Sequence, residues 1–204
     1  MIAIIDYGVG NLFSVEKAFA ALGAEAGITS NPLEIKSADK LVLPGVGAFG
    51  DCMKNLEESG LIPLLKEEVA GGKLLLGICV GLQILFDGSE ESPEAQGLGF
   101  ISGQVKKIQA DGLKVPHMGW NRLHMCKPHS TQDLFAGLAQ DKEYVYFVHS
   151  YYAVSEDKSV VTATTDYGET LTAAVQAKNI FATQFHPEKS GDVGLRIIEN
   201  FCRL

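Results

Sequence analysis

The chain has 204 residues, 46% of them hydrophobic, and a formal net charge of −8. A chain of this length buries about 70% of its extended surface, enough for a self-supporting core, and its acidic balance argues against nucleic acid as a partner. The apolar run Ile2–Ile5 is cut by Asp6 and has no basic leader, and the cysteines at 52, 79, 126 and 202 form no Cys-x-x-Cys pair, so a cytoplasmic protein without a membrane partner or a disulfide scaffold is expected.

In chain order, Ile2–Asp6 is a short buried strand, followed after a Gly-x-Gly-Asn turn by an amphipathic helix over about Leu12–Leu22. Lys40–Leu43 is the next strand, the segments near Ala48–Glu58 and Leu61–Ala70 are helices, and Lys73–Ile78 is a strand that runs into Cys79. Continuous apolar strands alternating with helices predict an open, mostly parallel α/β sheet covered on both faces, with a functional site at its carboxyl edge. Ser89–Gln96 is the most loop-like stretch. From about Gly99 the strands become shorter: Ile101–Ile108, Asn121–Met125, Tyr144–Ser150, Val160–Thr165, Leu171–Gln176 and Ile180–Phe185. They are expected to extend the sheet and add an antiparallel part before a closing helix near Val193–Cys202. Nothing marks a repeat or a linker, so residues 1–204 are taken as one domain.

The strand ending at Ile78 continues as Gly77-Ile78-Cys79-Val80-Gly81, a Gly-x-Cys-x-Gly sequence with a helix expected after it. Such a turn thrusts its central side chain above the sheet edge, and glycines flank it where Cβ atoms would not fit. Amides at the start of the following helix favour a thiolate and can meet a developing oxyanion. A lone cysteine at a strand end is more often a small buried hydrophobe; the two glycines and a second motif reverse that reading. The second motif is Phe185-His186-Pro187-Glu188, in which an apolar strand delivers an imidazole two residues before a carboxylate. A nucleophilic cysteine needs a base in this titration range, and a carboxylate to hold the ring's tautomer.

The elbow around Cys79, taken with Phe185-His186-Pro187-Glu188, resembles the class I (triad) glutamine amidotransferases. The stretches Asp6-Tyr7-Gly8-Val9-Gly10-Asn11, Pro44-Gly45-Val46-Gly47-Ala48-Phe49, Pro116-His117-Met118-Gly119-Trp120-Asn121 and Tyr146-Phe147-Val148-His149-Ser150-Tyr151, together with Lys189, are similar to the glutaminase subunits of imidazole glycerol phosphate synthases. The resemblance runs from the first strand to the last helix. It implies a flavodoxin-like fold and hydrolysis of L-glutamine to glutamate and ammonia through a thioester, with Cys79 as nucleophile, His186 as acid/base and Glu188 as orienter. It also implies an oxyanion hole from the Val46 and Val80 N–H groups, and a glutamine site around Gly47, Gln83, Glu91, Ser150 and Tyr151. Ammonia would pass to a separate cyclase subunit of (β/α)8 barrel fold in a heterodimer, faced by Asn11, Trp120, Asn121, Tyr146 and Lys189. The implied activity needs no cofactor.

Other readings carry less weight. Gly8-x-Gly10 lacks the third glycine of a dinucleotide loop. His117, His124, Cys126 and His129 match no standard metal-ligand spacing, so no metal is expected. His149 is read as a packed or interface histidine, and Cys52 and Cys202 as core-facing helix residues. A cysteine hydrolase or protease on the same elbow, or a catalytically silent activating subunit, would be told apart by glutamate release from glutamine.

Overall fold

The computed structural model describes residues 1–126 and 133–204. The first half alternates strand and helix: β1 (Ile2–Ile5), α1 (Leu12–Ala21), β2 (Ala26–Thr29), α2 (Pro32–Ser37), β3 (Lys40–Gly45), α3 (Phe49–Glu58), α4 (Ile62–Ala70) and β4 (Leu74–Cys79). A single turn, α5 (Val80–Gln83), follows, and then β5 (Gly88–Ser89), β6 (Gly103–Lys107), β7 (His117–Arg122), β8 (His124–Met125), β9 (Tyr144–His149) and β10 (Tyr151–Ser155). The chain continues through β11 (Val161–Tyr167), β12 (Glu169–Ala177) and β13 (Ile180–Thr183) to α6 (Gly191–Arg203).

The main sheet has eight strands in the order β2-β1-β3-β4-β13-β12-β11-β8. From β2 to β13 all neighbours are parallel, the flavodoxin-like order expected of the sequence; beyond β13 each neighbour is antiparallel. The parallel strands are apolar along their length because both of their faces are covered: Ile4, Ile5, Leu41, Val42, Leu43, Leu75, Leu76 and Ala182 are buried. Right-handed crossovers place α1 on the face opposite α2, α3 and α4. The closing helix α6 joins α1 there, burying Gly194, Ile197, Ile198 and Phe201 at helical spacing.

Three details depart from the sequence expectation. The strands foreseen at Ile101–Ile108 and Tyr144–Ser150 do not extend the main sheet: β6 pairs with β10 and β5, and β9 pairs with β7 in a two-stranded ribbon. Both alternate buried with exposed residues, which specifies one covered face and leaves open what covers it. The single strand read over Asn121–Met125 is two, β7 and β8, because the chain changes partners at the fully buried Leu123: its N–H still bonds Glu143 O in line with the β7–β9 pairing, while His124 and Met125 pair with β11. β2 and α2 went unread; β2 is short and only partly buried, and α2 is six residues whose start is set by Asn31 accepting from Leu33 N–H, with Pro32 at its first position.

Close main-chain packing ties β3 to the turn after β4. A Cβ on Gly81 would collide with the Leu43 carbonyl oxygen, one on Gly45 would lie 2.6 Å from Gly81 N, and one on Gly77 would lie 2.8 Å from Gly81 O. None of these three has positive φ, so the requirement is for space. Gly81→Ala is therefore expected to lower stability by about 2 kcal/mol or more, a fall in Tm of roughly 4–8 °C, whereas Gly27→Ala, where a Cβ meets nothing within 4 Å, leaves Tm within about 2 °C. Equal melting points for the two variants would show that the turn yields easily.

Candidate active site

Cys79 closes β4 with φ 56° and ψ −111°, a conformation that side-chain-bearing residues rarely adopt. The strain lies on Cys79 itself, and the space for it comes from the neighbouring glycines. The helix expected after the elbow is one turn long, so any donors there are local amides and a helix macrodipole contributes little.

His186 enters from the end of β13, next to β4 in the sheet. Its backbone is fixed on both sides: His186 N–H donates to Tyr146 O at 3.0 Å, and its carbonyl accepts from Ser190 Oγ at 2.6 Å. Its Nδ1 lies 2.7 Å from Glu188 Oε1, and its ring faces the same cavity as Cys79. Glu188 Oε2 is buried without a partner among the described residues, so His186, bonded to Oε1, is the group that offsets this carboxylate's charge. Burial by itself would lower the His186 pKa. The hydrogen bonds and charges of Cys79 and Glu188 outweigh it and raise the ring from 6.5 to about 9.

Cys79 and His186 open onto a cavity of about 310 Å³ lined also by Val46, Gly47, Val80, Gln83, Glu91, Pro116, Val148, His149, Ser150 and Tyr151. Every residue assigned above to the oxyanion hole or the glutamine site is on this wall, while Glu188 stands behind His186. Gly45 and Cys79 are register partners in β3 and β4, so Val46 and Val80 each follow one member of that pair. The Val46 loop is tied from the core side: Tyr7 Oη donates to Pro44 O at 2.6 Å and Cys52 Sγ to Val46 O at 3.4 Å. Burial pushes the Cys52 thiol up to about 11, which keeps it a donor. The Val46 N–H has no acceptor among the described residues. Gln83 donates its amide N–H groups to Tyr151 O and Gln184 Oε1, which leaves its oxygen for a ligand. Glu91 Oε2 accepts from Phe49 N–H at 2.8 Å, anchoring it at the start of α3.

Around this mouth lie the residues assigned to a partner. Trp120 and Tyr146 face each other across β7 and β9 with ring centroids 6.3 Å apart, Trp120 is 58% exposed, and Met118 beside it is 62% exposed. Lys189 is exposed, and Asn11 begins α1, which packs on the 187–189 turn. Asn121 differs from these: its amide is engaged inside the molecule, with His117 and with Asp166 O. His149 is buried and also lines the cavity, so the reading of it as a packed or interface residue was incomplete. Sequence reading also missed Gln184, whose Nε2 lies 3.8 Å from Cys79 Sγ. Among the described residues no three His, Cys, Asp or Glu side chains converge as metal ligands; His129 lies outside them.

Residues 3–204 match the family model described as glutamine amidotransferase class-I. The chain is 53% identical over 207 residues to the imidazole glycerol phosphate synthase subunit HisH of Syntrophotalea carbinolica, covering 98% of each chain. It is 53% identical over 204 residues to the subunit of the same name from Methanothermobacter thermautotrophicus, covering 100% of this chain and 98% of that one. Among solved structures, a glutamine amidotransferase superposes with a TM-score of 0.76 over 100% of both chains at 22% identity. A chain of PurLQS from Thermotoga maritima gives 0.74 at 19% identity, over 99% of this chain and 97% of that one.

The raised His186 pKa makes the fold's stability pH-dependent. With the folded value above the unfolded one, protonation of His186 contributes fully below about pH 6.5, and the contribution is lost as pH rises through about 9. Denaturant unfolding of the protein and of His186→Asn is expected to show a stability gap that narrows across that window. A gap of constant size would mean that Cys79 and Glu188 do not hold an imidazolium.

Proposed function

Because the chain belongs to the glutamine amidotransferase class-I family, we propose that this cavity hydrolyses L-glutamine and that the chain is the glutaminase subunit of an imidazole glycerol phosphate synthase, in cytoplasmic histidine biosynthesis. The observation that carries the reading is the meeting, in one cavity, of a strained cysteine and an imidazole–carboxylate pair brought from distant parts of the chain. Cys79 Sγ attacks the side-chain amide carbon, and the oxygen, now negative, is met by the Val46 and Val80 N–H groups. His186, with Nδ1–H on Glu188, gives its proton to the nitrogen as the C–N bond breaks, releasing ammonia and leaving a thioester. His186 then takes a proton from water, which displaces the sulfur and frees glutamate. Gly47, Gln83, Glu91 and the Ser150–Tyr151 main chain hold the substrate's α-amino and α-carboxyl groups.

The ammonia goes to a separate cyclase subunit with a (β/α)8 barrel fold, in a heterodimer, where imidazole glycerol phosphate and an aminoimidazole carboxamide ribonucleotide are made. Support for a docking face comes from the exposed Met118 and Trp120 on the ribbon and Phe13, 71% exposed, on α1. Asn11, Trp120, Tyr146 and Lys189 are its contact residues, and Asn121 sits just behind it.

Cys79→Ala and Cys79→Ser are expected to abolish glutamine-dependent synthesis by the complex and to leave ammonia-dependent synthesis intact; equal loss of both would refute this division of labour. His186→Ala is expected to cost several orders of magnitude in glutamine turnover and Glu188→Gln less, since the carboxylate orients and does not transfer a proton.

Hydrolysis without an acceptor wastes glutamine, so a waiting mechanism is advantageous. The Gly45–Val46 peptide lies between the two tied carbonyls of Pro44 and Val46 and carries one oxyanion donor. Turning it changes the rate by about 10²–10³. Glutamate release is therefore expected to be slow for the lone chain and to rise by orders of magnitude with the cyclase and its acceptor ligand. Similar rates for the lone chain, for the complex and for the complex with acceptor ligand would mean that the donor is always in place.

A further inference from the structure

Behind the nucleophile runs a line of buried polar groups that the reaction scheme leaves unused. Gln184 is fully buried, and its Nε2 lies 3.8 Å from Cys79 Sγ. Its Oε1 accepts from Gln83 Nε2 at 3.1 Å, and Gln83 Nε2 also donates to Tyr151 O at 2.9 Å. The same carbonyl lies 2.9 Å from His149 Nδ1. His149 Nε2 lies 3.0 Å from His117 Nδ1, and His117 Nε2 lies 3.2 Å from Asn121 Nδ2. Asn121 is fixed in turn, donating to Asp166 O and accepting from Arg122 N–H.

The polarity of this line is determined at one point. A peptide carbonyl can only accept, so Tyr151 O requires the NH₂ of Gln83 and the Nδ1–H of His149. With the Gln83 NH₂ so placed, Gln184 must present its oxygen to Gln83, because the reversed amide would set donor against donor. Its own NH₂ then faces the sulfur. On the other side, His149 Nε2 accepts from His117 Nδ1–H, and His117 Nε2 accepts from Asn121. Burial keeps both rings neutral, pushing His149 down to about 3 and His117 down to about 4. His117 is held flat between Phe147 and Tyr167, with centroids 4.7 and 4.1 Å away.

We propose that Gln184 is a catalytic residue of this site, donating an N–H···S hydrogen bond that stabilises and aims the Cys79 thiolate, and that Gln83, held by Tyr151 O, is the positioning residue that keeps its amide the right way round. The proposal rests on Cys79 being the nucleophile. His186 must surrender its proton to the departing nitrogen, whereas the Gln184 donor has no other task. It is in place again when the thioester breaks and the sulfur leaves with the bonding electron pair.

The test is the alkylation rate of Cys79 by iodoacetamide at about pH 7, read by mass spectrometry on the peptide that contains it, beside steady-state glutamine hydrolysis with the cyclase present. Gln184→Leu is expected to slow alkylation about five- to tenfold and to lower kcat about 10- to 100-fold, with KM within about threefold. Gln184→Glu, which sets an oxygen against the sulfur, is expected to slow both further. Wild-type rates in both variants, with Cys79→Ser inactive, would overturn the role of Gln184 alone. A Cys79→Ser chain that still hydrolyses glutamine would overturn the proposed function and this role with it. Should either variant fail to fold, the Gln184 side-chain NH₂ resonances of the ¹⁵N-labelled chain decide the matter. They are expected to shift when Cys79 is replaced by alanine, and unchanged resonances would exclude the bond.

Discussion

The site depends on the close approach of two main-chain segments, the end of β3 and the turn after β4. Cys79 occupies a backbone conformation that costs of order 1–3 kcal/mol, and such strain persists only where the surroundings over-determine it. Here the surroundings are the Leu43–Gly45 and Gly77–Gly81 backbones, packed without Cβ atoms between them. Because Gly45 and Cys79 are register partners, the residues after them leave adjacent strands side by side, and sheet pairing sets where Cys79 and the main chains of Val46 and Val80 stand relative to one another, whichever way the Gly45–Val46 peptide is turned. Rigid elements hold such a constellation more accurately than a loop would.

A second constraint is that groups unable to reorient dictate the orientation of those that can. Tyr146 O fixes the His186 main chain, Glu188 fixes its Nδ1, and Tyr151 O fixes the amide of Gln83 and the tautomer of His149. Side-chain amides and imidazoles have two nearly isosteric orientations each, so a buried set of them specifies one arrangement only if some member is anchored. In this fold the main-chain anchors come from β9 and the start of β10, outside the main sheet, which explains why those strands are needed at a site whose cysteine stands on the parallel half.

The parallel sheet was legible because strands covered on both faces must be apolar throughout, and β1, β3, β4 and β13 are. That Cys79 and His186 come together was legible because strain and proton transfer demand particular residues at short spacing: glycines around Cys79, and a carboxylate two residues after His186. The pairing of β6, β7, β9 and β10 was not, since alternation reveals a covered face and never the neighbour. Gln184 was invisible for a related reason. It follows directly on an apolar strand like any satisfied core amide, and the direction of its NH₂ is decided by Tyr151, far away in sequence. Asn121 was placed with the interface on resemblance; its side chain turns inward because His117 and the Asp166 carbonyl offer it partners there.

The ribbon of β7 and β9 joins these themes. Its period of two sends Trp120 and Tyr146 to the face assigned to the cyclase, and His117, Phe147 and His149 to the other, against the site. A two-stranded ribbon is marginal by itself, so its position is set by what packs on both faces. The cyclase would supply the packing on one of them. Any displacement it imposed would be felt where β9 is bonded, at His186 N–H and, two residues past its end, at the carbonyl that orients Gln83 and His149. Docking on that face would therefore be coupled to the site through hydrogen bonds of β9 and the start of β10, and such coupling requires no motion of the parallel sheet that holds Cys79.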